Sequence, residues 1–105
     1  MSIIISGHHF TETPALKAHT NEKLSKLFRH YGHIIKIECE MNSEVSHRGK
    51  ENDFYVLLNI QIPGKTIRIE DNQRDMYTAV DRAIERADAT LRKAKEKEIA
   101  KRRKV

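Results

Sequence analysis

The feature that most restricts the fold is a change of hydrophobic period along the chain, from helical to strand spacing and back. Leu16, Thr20, Leu24, Leu27, Phe28 and Tyr31 recur at intervals of three and four. Residues so spaced share one helix face, so they form a single buried stripe. From Ile34 the period is two: Ile35, Ile37, Cys39 and Met41 alternate with Lys36, Glu38, Glu40 and Asn42. The same alternation returns at Phe54, Val56, Leu58, Ile60 and Ile62, and again at Ile67 and Ile69 between Arg68 and Glu70. Helical spacing resumes at Tyr77, Val80, Ile84, Ala87 and Leu91. A β-branched run at 2–7, ended by Gly7, precedes all of this and reads as a further strand.

Punctuation residues set the expected boundaries. Thr11 or Thr13 can cap a helix whose first turn holds Pro14, where a missing N–H costs nothing. Gly32 is placed to close that helix, at 14–31, in a left-handed conformation. The polar stretch 44–53 reads as a hairpin loop, Pro63-Gly64 as a turn and 66–70 as the last strand. Asn72 and Asp75, three apart, resemble a capping box before a second helix continuing to about Ile99.

The resulting order is β-α-β-β-β-α. Two amphipathic helices must cover the one dry face of a four-stranded sheet, which is a two-layer α+β sandwich. Its other face, carrying Lys36, Glu38, Glu40, Asn59, Gln61, Arg68 and Glu70, is expected to meet water. A chain of 105 residues suits one domain, here 1–99, followed by a basic tail at 100–105. No apolar run approaches the roughly 20 residues of a membrane span, and the start lacks a basic leader, so neither membrane nor secretory leader is expected. Cys39 is the single cysteine, which excludes an internal disulfide and fits a reducing cytoplasm.

Charge points to the partner. The chain carries a formal +5, but residues 92–105 alone carry +6, so residues 1–91 carry −1. A basic end on a near-neutral body suits an anionic partner. At about 100° per residue, Arg82, Arg86 and Lys93 lie opposite the second helix's buried stripe, with Arg92 flanking. Lys26 and Arg29 lie opposite the first helix's stripe, with Lys23 at its edge. Both helices cover the same sheet face, so these residues are expected on one surface, continued by Lys95, Lys97, Lys101, Arg102, Arg103 and Lys104 and diluted by Glu22, Asp75, Glu85 and Glu96. Spaced cations of this kind suit phosphates along a nucleic-acid backbone, and about six contacts would make affinity fall roughly a thousandfold from low to physiological salt. The strands lack the aromatic pair of an RNA recognition motif and no zinc-finger spacing occurs, so the expected readout is the shape and phosphates of structured RNA.

No catalytic residue, metal site or cofactor is assigned. His8 and His9 are adjacent, and His19, His30, His33 and His47 are scattered, without partner ligands at metal spacing. No nucleophile elbow or glycine-rich phosphate loop occurs. Glu38 and Glu40 share a strand face and keep open the alternative of a small acid–base enzyme.

Ile3-Ile4-Ile5-Ser6-Gly7, then Thr13-Pro14-Ala15-Leu16 with Lys23-Leu24-Ser25-Lys26-Leu27, and above all Asp75-Met76-Tyr77-Thr78-Ala79-Val80-Asp81 resemble the ribosome hibernation promoting factor family. The resemblance runs over about 3–97. It implies a fold similar to a double-stranded-RNA-binding domain with an added strand. It also implies binding to rRNA in the small ribosomal subunit where mRNA and tRNA meet, and a block of translation in stationary phase or stress. The basic positions carried over from it are Lys23, Lys26, Arg86, Lys93, Lys95 and Lys97; Arg29, Arg82 and Arg92 come from the helix geometry alone. Ala89 stands where some relatives are basic, removing one expected contact. Length and the basic end resemble the short form, which in some bacteria acts with a small ribosome modulation factor to form inactive ribosome dimers. The free chain is expected to be a monomer. The alternative of the same class is a general structured-RNA-binding module acting away from ribosomes.

Overall fold

The computed structural model describes residues 2–8, 10–45 and 52–103, with side chains described through 43 and from 53 to 97. The elements are β1 (Ser2–His8), α1 (Pro14–His30), β2 (Lys36–Val45), β3 (Asn52–Ile62), β4 (Lys65–Gln73) and α2 (Met76–Arg103). They form the α+β sandwich expected from the hydrophobic periods. The sheet order is β1-β2-β3-β4. β2 to β4 are antiparallel, whereas β1 runs parallel to β2, pairing Ser2 with Lys36 through His8 with Asn42. A parallel pair needs a crossover, and α1 supplies it.

Both helices lie on one sheet face. Ile37, Cys39 and Met41 of β2, Val56, Leu58, Ile60 and Ile62 of β3, and Ile67 and Ile69 of β4 are buried against Leu16, Leu24, Leu27, Phe28 and Tyr31 of α1 and Met76, Ala79, Val80, Ala83, Ile84, Ala87 and Leu91 of α2. Each large aliphatic side chain so buried contributes about 1.5–3 kcal/mol before the entropy of ordering it. Thr20, the one polar member of the helix-one stripe, donates its hydroxyl to the Leu16 carbonyl at 2.9 Å and is satisfied inside the core.

Several boundaries differ from the sequence expectation, each for a local reason. Thr13 is the α1 cap, its Oγ1 accepting from Leu16 N–H at 3.2 Å, with Pro14 following. The helix is closed by Tyr31 at φ −130°, whose N–H donates to the Leu27 carbonyl, so Gly32 does not take the left-handed role; Gly64, at φ 87°, does so in the Pro63-Gly64 turn. Ile35 is 48 % exposed and Ile34 is buried instead, because regular pairing begins only at Lys36. Tyr77 is 40 % exposed and Met76 takes its place in the core. Asn72 belongs to β4, opposite Tyr55, and Asp75 alone caps α2, its Oδ2 accepting from Thr78 N–H at 2.9 Å. β4 is longer than 66–70, and α2 runs past Ile99. β2 and β3 extend into the 44–53 stretch; residues 46–51, with His9, His47 and Lys104, lie outside the described residues.

Gly7 is required by close approach. A Cβ there would run into the Phe10 carbonyl oxygen and the Glu12 carboxylate, where the chain leaving β1 folds back toward α1. Gly7→Ala is expected to destabilise the domain by about 2 kcal/mol, or roughly 10 °C in thermal unfolding; an unchanged midpoint would refute the contact.

Candidate nucleic-acid interface

The outward sides of α1 and α2 form a two-ridged surface with a groove between them, lined by Lys23, Lys26, His30, Tyr31, Asp81, Glu85, Asp88 and Arg92 among others. The floor of the groove is held together by polar contacts between the helices. Asp81 Oδ1 lies 2.8 Å from His19 Nε2 and 3.9 Å from Lys23 Nζ. The Tyr31 hydroxyl donates to Asp88 Oδ1 at 2.9 Å, and Asp88 Oδ2 accepts from Arg92 Nη2 at 2.8 Å. Burial pushes the Tyr31 phenol up from its ordinary value, and donation to Asp88 pushes it further in the same direction. It therefore remains a neutral donor well into alkaline pH. The His19 and Tyr77 rings meet edge to face, with centroids 5.1 Å apart.

This arrangement redistributes the expected basic surface. Lys23 and Arg92 are tied to Asp81 and Asp88. Lys95 sits with its Nζ 6.0 Å from the Tyr31 ring centroid. Arg86 turns away from α1 toward the sheet, where its guanidinium donates to the Glu70 carbonyl and lies 3.8 Å from Asp71 Oδ1. Arg29 lies on the opposite flank of α1, beside Ile3 of β1. Lys26, Arg82 and Lys93 are exposed on the outer crests of the two helices. Among the described residues they make no ion pair or side-chain hydrogen bond, and neither does exposed Lys97. Lys101, Arg102 and Arg103 fall in the last turn of α2.

The surface is thus two cationic crests over a groove whose charge is largely compensated internally. Sequence reasoning named Glu85 and Glu96 as diluting acids but missed Asp81 and Asp88. Both sit beside the buried stripe of α2, and only the side on which α1 packs makes them part of the groove. The water-facing side of the sheet carries a different pattern. Glu38 and Glu40 are exposed, and Glu38 Oε1 pairs with Lys36 Nζ at 2.9 Å. Cys39, on the core side between them, is buried, and burial pushes its thiol up to about 12, so it is no nucleophile at neutral pH. Among the described residues there is no group of His, Cys, Asp and Glu fit to hold a metal, and no helix is long and apolar enough to cross a membrane.

Residues 3–99 match the family described as sigma 54 modulation protein / S30EA ribosomal protein. The chain is 31 % identical over 99 residues to the ribosome hibernation promoting factor of Azotobacter vinelandii, covering 94 % of this chain and 87 % of that one. It is 32 % identical over 97 residues to the ribosome hibernation promotion factor of Bacillus subtilis, covering 92 % of this chain and 50 % of the longer relative. Its fold superposes on a ribosomal subunit interface protein from Coxiella burnetii with a TM-score of 0.79 at 26 % identity, covering 91 % and 99 % of the two chains. The N-terminal domain of Thermus thermophilus Protein Y shares the fold alone, with a TM-score of 0.72 at 21 % identity, covering 89 % of this chain and 98 % of that one.

Proposed function

The chain belongs to the sigma 54 modulation protein / S30EA ribosomal protein family, and from that premise we propose that it is a ribosome hibernation factor acting by occupancy. Its two-helix face lies on structured rRNA of the small subunit, where mRNA and tRNA are otherwise held, and translation stops because the place is taken. No bond is made or broken. The role belongs to stationary phase or stress in the cytoplasm and favours inactive ribosomes, including dimers formed together with a small modulation factor.

The observation that carries this reading is the set of exposed cations Lys26, Arg82 and Lys93, unpaired among the described residues, on the crests of two adjacent helices. Each is free to meet a phosphate without first breaking an internal ion pair. Lys97 and the last turn of α2 extend the series along one rod. The groove between the crests presents His30 and the acceptors Asp81 and Glu85. Ribose hydroxyls, which donate as well as accept, suit such a lining where phosphates do not. The surface therefore favours a sugar–phosphate relief over a uniform anion.

Co-sedimentation with purified small subunits tests it. Binding is expected at low salt, falling about a thousandfold in affinity between 50 and 200 mM salt for roughly six phosphate contacts, and it is expected to be blocked by bound tRNA. Equal affinity for an arbitrary RNA duplex would favour the general RNA-binding module instead. The acid–base alternative has less support: Glu38 is engaged by Lys36, and Glu40, although it borders a depression of about 580 Å³ with Glu70 and Asp71, is exposed.

A further inference from the structure

The two edges of the sheet are built differently. β4 carries Lys65, Arg68, Glu70 and Asp71, and Arg86 of α2 reaches down to the Glu70 carbonyl. Charges and a covering side chain are the usual protection of a sheet edge against pairing with another strand. β1, at the opposite edge, reads Ser-Ile-Ile-Ile-Ser-Gly-His, without proline or any Lys, Arg, Asp or Glu. Among the described residues, the backbone hydrogen bonds outside regular elements lie at Lys17, Tyr31, Ile34, Ile35 and Ala79, and none of these reaches the outer side of residues 2–6 in β1.

We propose that β1 is a pairing edge for a second copy of this chain, the two strands running antiparallel about a two-fold axis at Ile4. Ser2-Ile3-Ile4-Ile5-Ser6 is a palindrome. Antiparallel pairing about its centre sets Ile4 against Ile4, Ile3 against Ile5 and Ser2 against Ser6, with no charge opposed to a like charge. Such self-complementarity is what a two-fold interface demands. The surfaces on both sides of the strand fit this register. On the water-facing side Ile4 is 47 % exposed, and its counterpart would cover it. On the helical side Ile3 and Ile5 are half-buried and border two open depressions of about 400 and 410 Å³ beneath the flank of α1. The incoming Ile3 and Ile5 would fill them. That flank presents Ala18, Asn21 and Ser25, small enough for two α1 helices to approach to about 8–10 Å.

Charge opposes the association only locally, where Lys17 and Arg29 flank the depressions. Residues 1–91 carry a net −1, and α2 packs over β3 and β4, away from β1. Because the axis stands normal to the sheet, the pair presents both helical faces on the same side. A single strand pair with its flanking side chains is a small, transient-class interface. The chain accordingly remains monomeric at micromolar concentration and pairs as concentration rises. The inference is independent of RNA binding, which engages other residues.

Sedimentation equilibrium of nuclease-treated protein from about 0.01 to 1 mM tests it. The average mass is expected to climb from 12.2 kDa toward twice that value, and added salt should not reverse the climb, since Lys17 and Arg29 flank the depressions in both copies. Ile4→Lys sets two like charges at the axis and should hold the mass at the monomer value throughout. Ile4→Val should pair as the original does. Amide signals of residues 2–7 should shift with concentration in the original and not in Ile4→Lys, whose thermal midpoint checks that the fold is intact. An original chain that stays monomeric to 1 mM overturns the proposal, including the case in which an added extended peptide shifts the same amides. So does a dimer that survives Ile4→Lys.

Discussion

Reversing Lys26, Arg82 and Lys93 together to glutamate is expected to lower affinity for small subunits by about a hundredfold to a thousandfold at moderate salt. Three phosphate contacts are removed and three repulsions added. The slope of log affinity against log salt should flatten by about 2–3, at roughly 0.7–0.9 per contact. The fold should not suffer, because all three side chains are exposed and, among the described residues, unpaired. Arg86→Ala makes the informative contrast. That side chain ties α2 to β4 through Glu70 and Asp71. Its loss should cost about 1 kcal/mol of stability while changing the salt slope by no more than about 1. Retained ribosome association in the triple variant would refute the crest assignment. An Arg86→Ala effect as large as the triple one would move the contact surface to the β4 flank.

The second large effect concerns Cys39, which is 1 % exposed between Ile5 and Leu58 in the sheet. With the thiol pushed up to about 12 from an ordinary 9.0, its thiolate fraction at neutral pH is about a thousandfold below that of a free thiol. Labelling by a disulfide reagent should be slower by at least about that factor in the native protein and immediate in denaturant. The same displacement fixes a pH dependence. The folded value lies above the unfolded one, so the contribution to stability is complete below about pH 9 and is lost as pH rises toward 12, about 4 kcal/mol in all. Tyr31, displaced in the same direction, adds to the alkaline loss. Cys39→Ala should remove the thiol's part, and an alkaline unfolding profile identical to that of the original chain would contradict the assignment.

The fold could be read from the chain because a core facing one side of a sheet imposes strict alternation, and β2, β3 and β4 obey it wherever pairing is regular. Ile35 departs from the pattern because it precedes the first paired residue, and Tyr77 because Met76, one position earlier, falls closer to the centre of the buried sector. Caps were harder to read. Thr11 and Thr13 were equivalent by type, and Asn72 competed with Asp75, until the ends of the elements decided between them. The crests were legible too, since Lys26, Arg82 and Lys93 lie opposite their stripes by rotation alone. The destinations of Arg86, Lys23 and Arg92 were not. The first two depend on partners distant in sequence, a Glu70 carbonyl on β4 and an Asp81 shared with His19, whereas Arg92 pairs with Asp88 one helical turn away and only the Tyr31 that shares this carboxylate is distant.

α2 runs for 28 residues to Arg103, about 42 Å, yet among its described side chains, which end at Lys97, the last one buried is Leu91. The helical backbone continues beyond it for roughly 18 Å, a spar whose described cations are Arg92, Lys93, Lys95 and Lys97. A coil of the same composition would have to surrender its disorder on meeting a ligand, at about 1–2 kcal/mol for each residue arrested. A spar already wound has little left to surrender, so its cations can act as a ruler held at fixed pitch, and a ligand whose anionic spacing does not match would gain little from them.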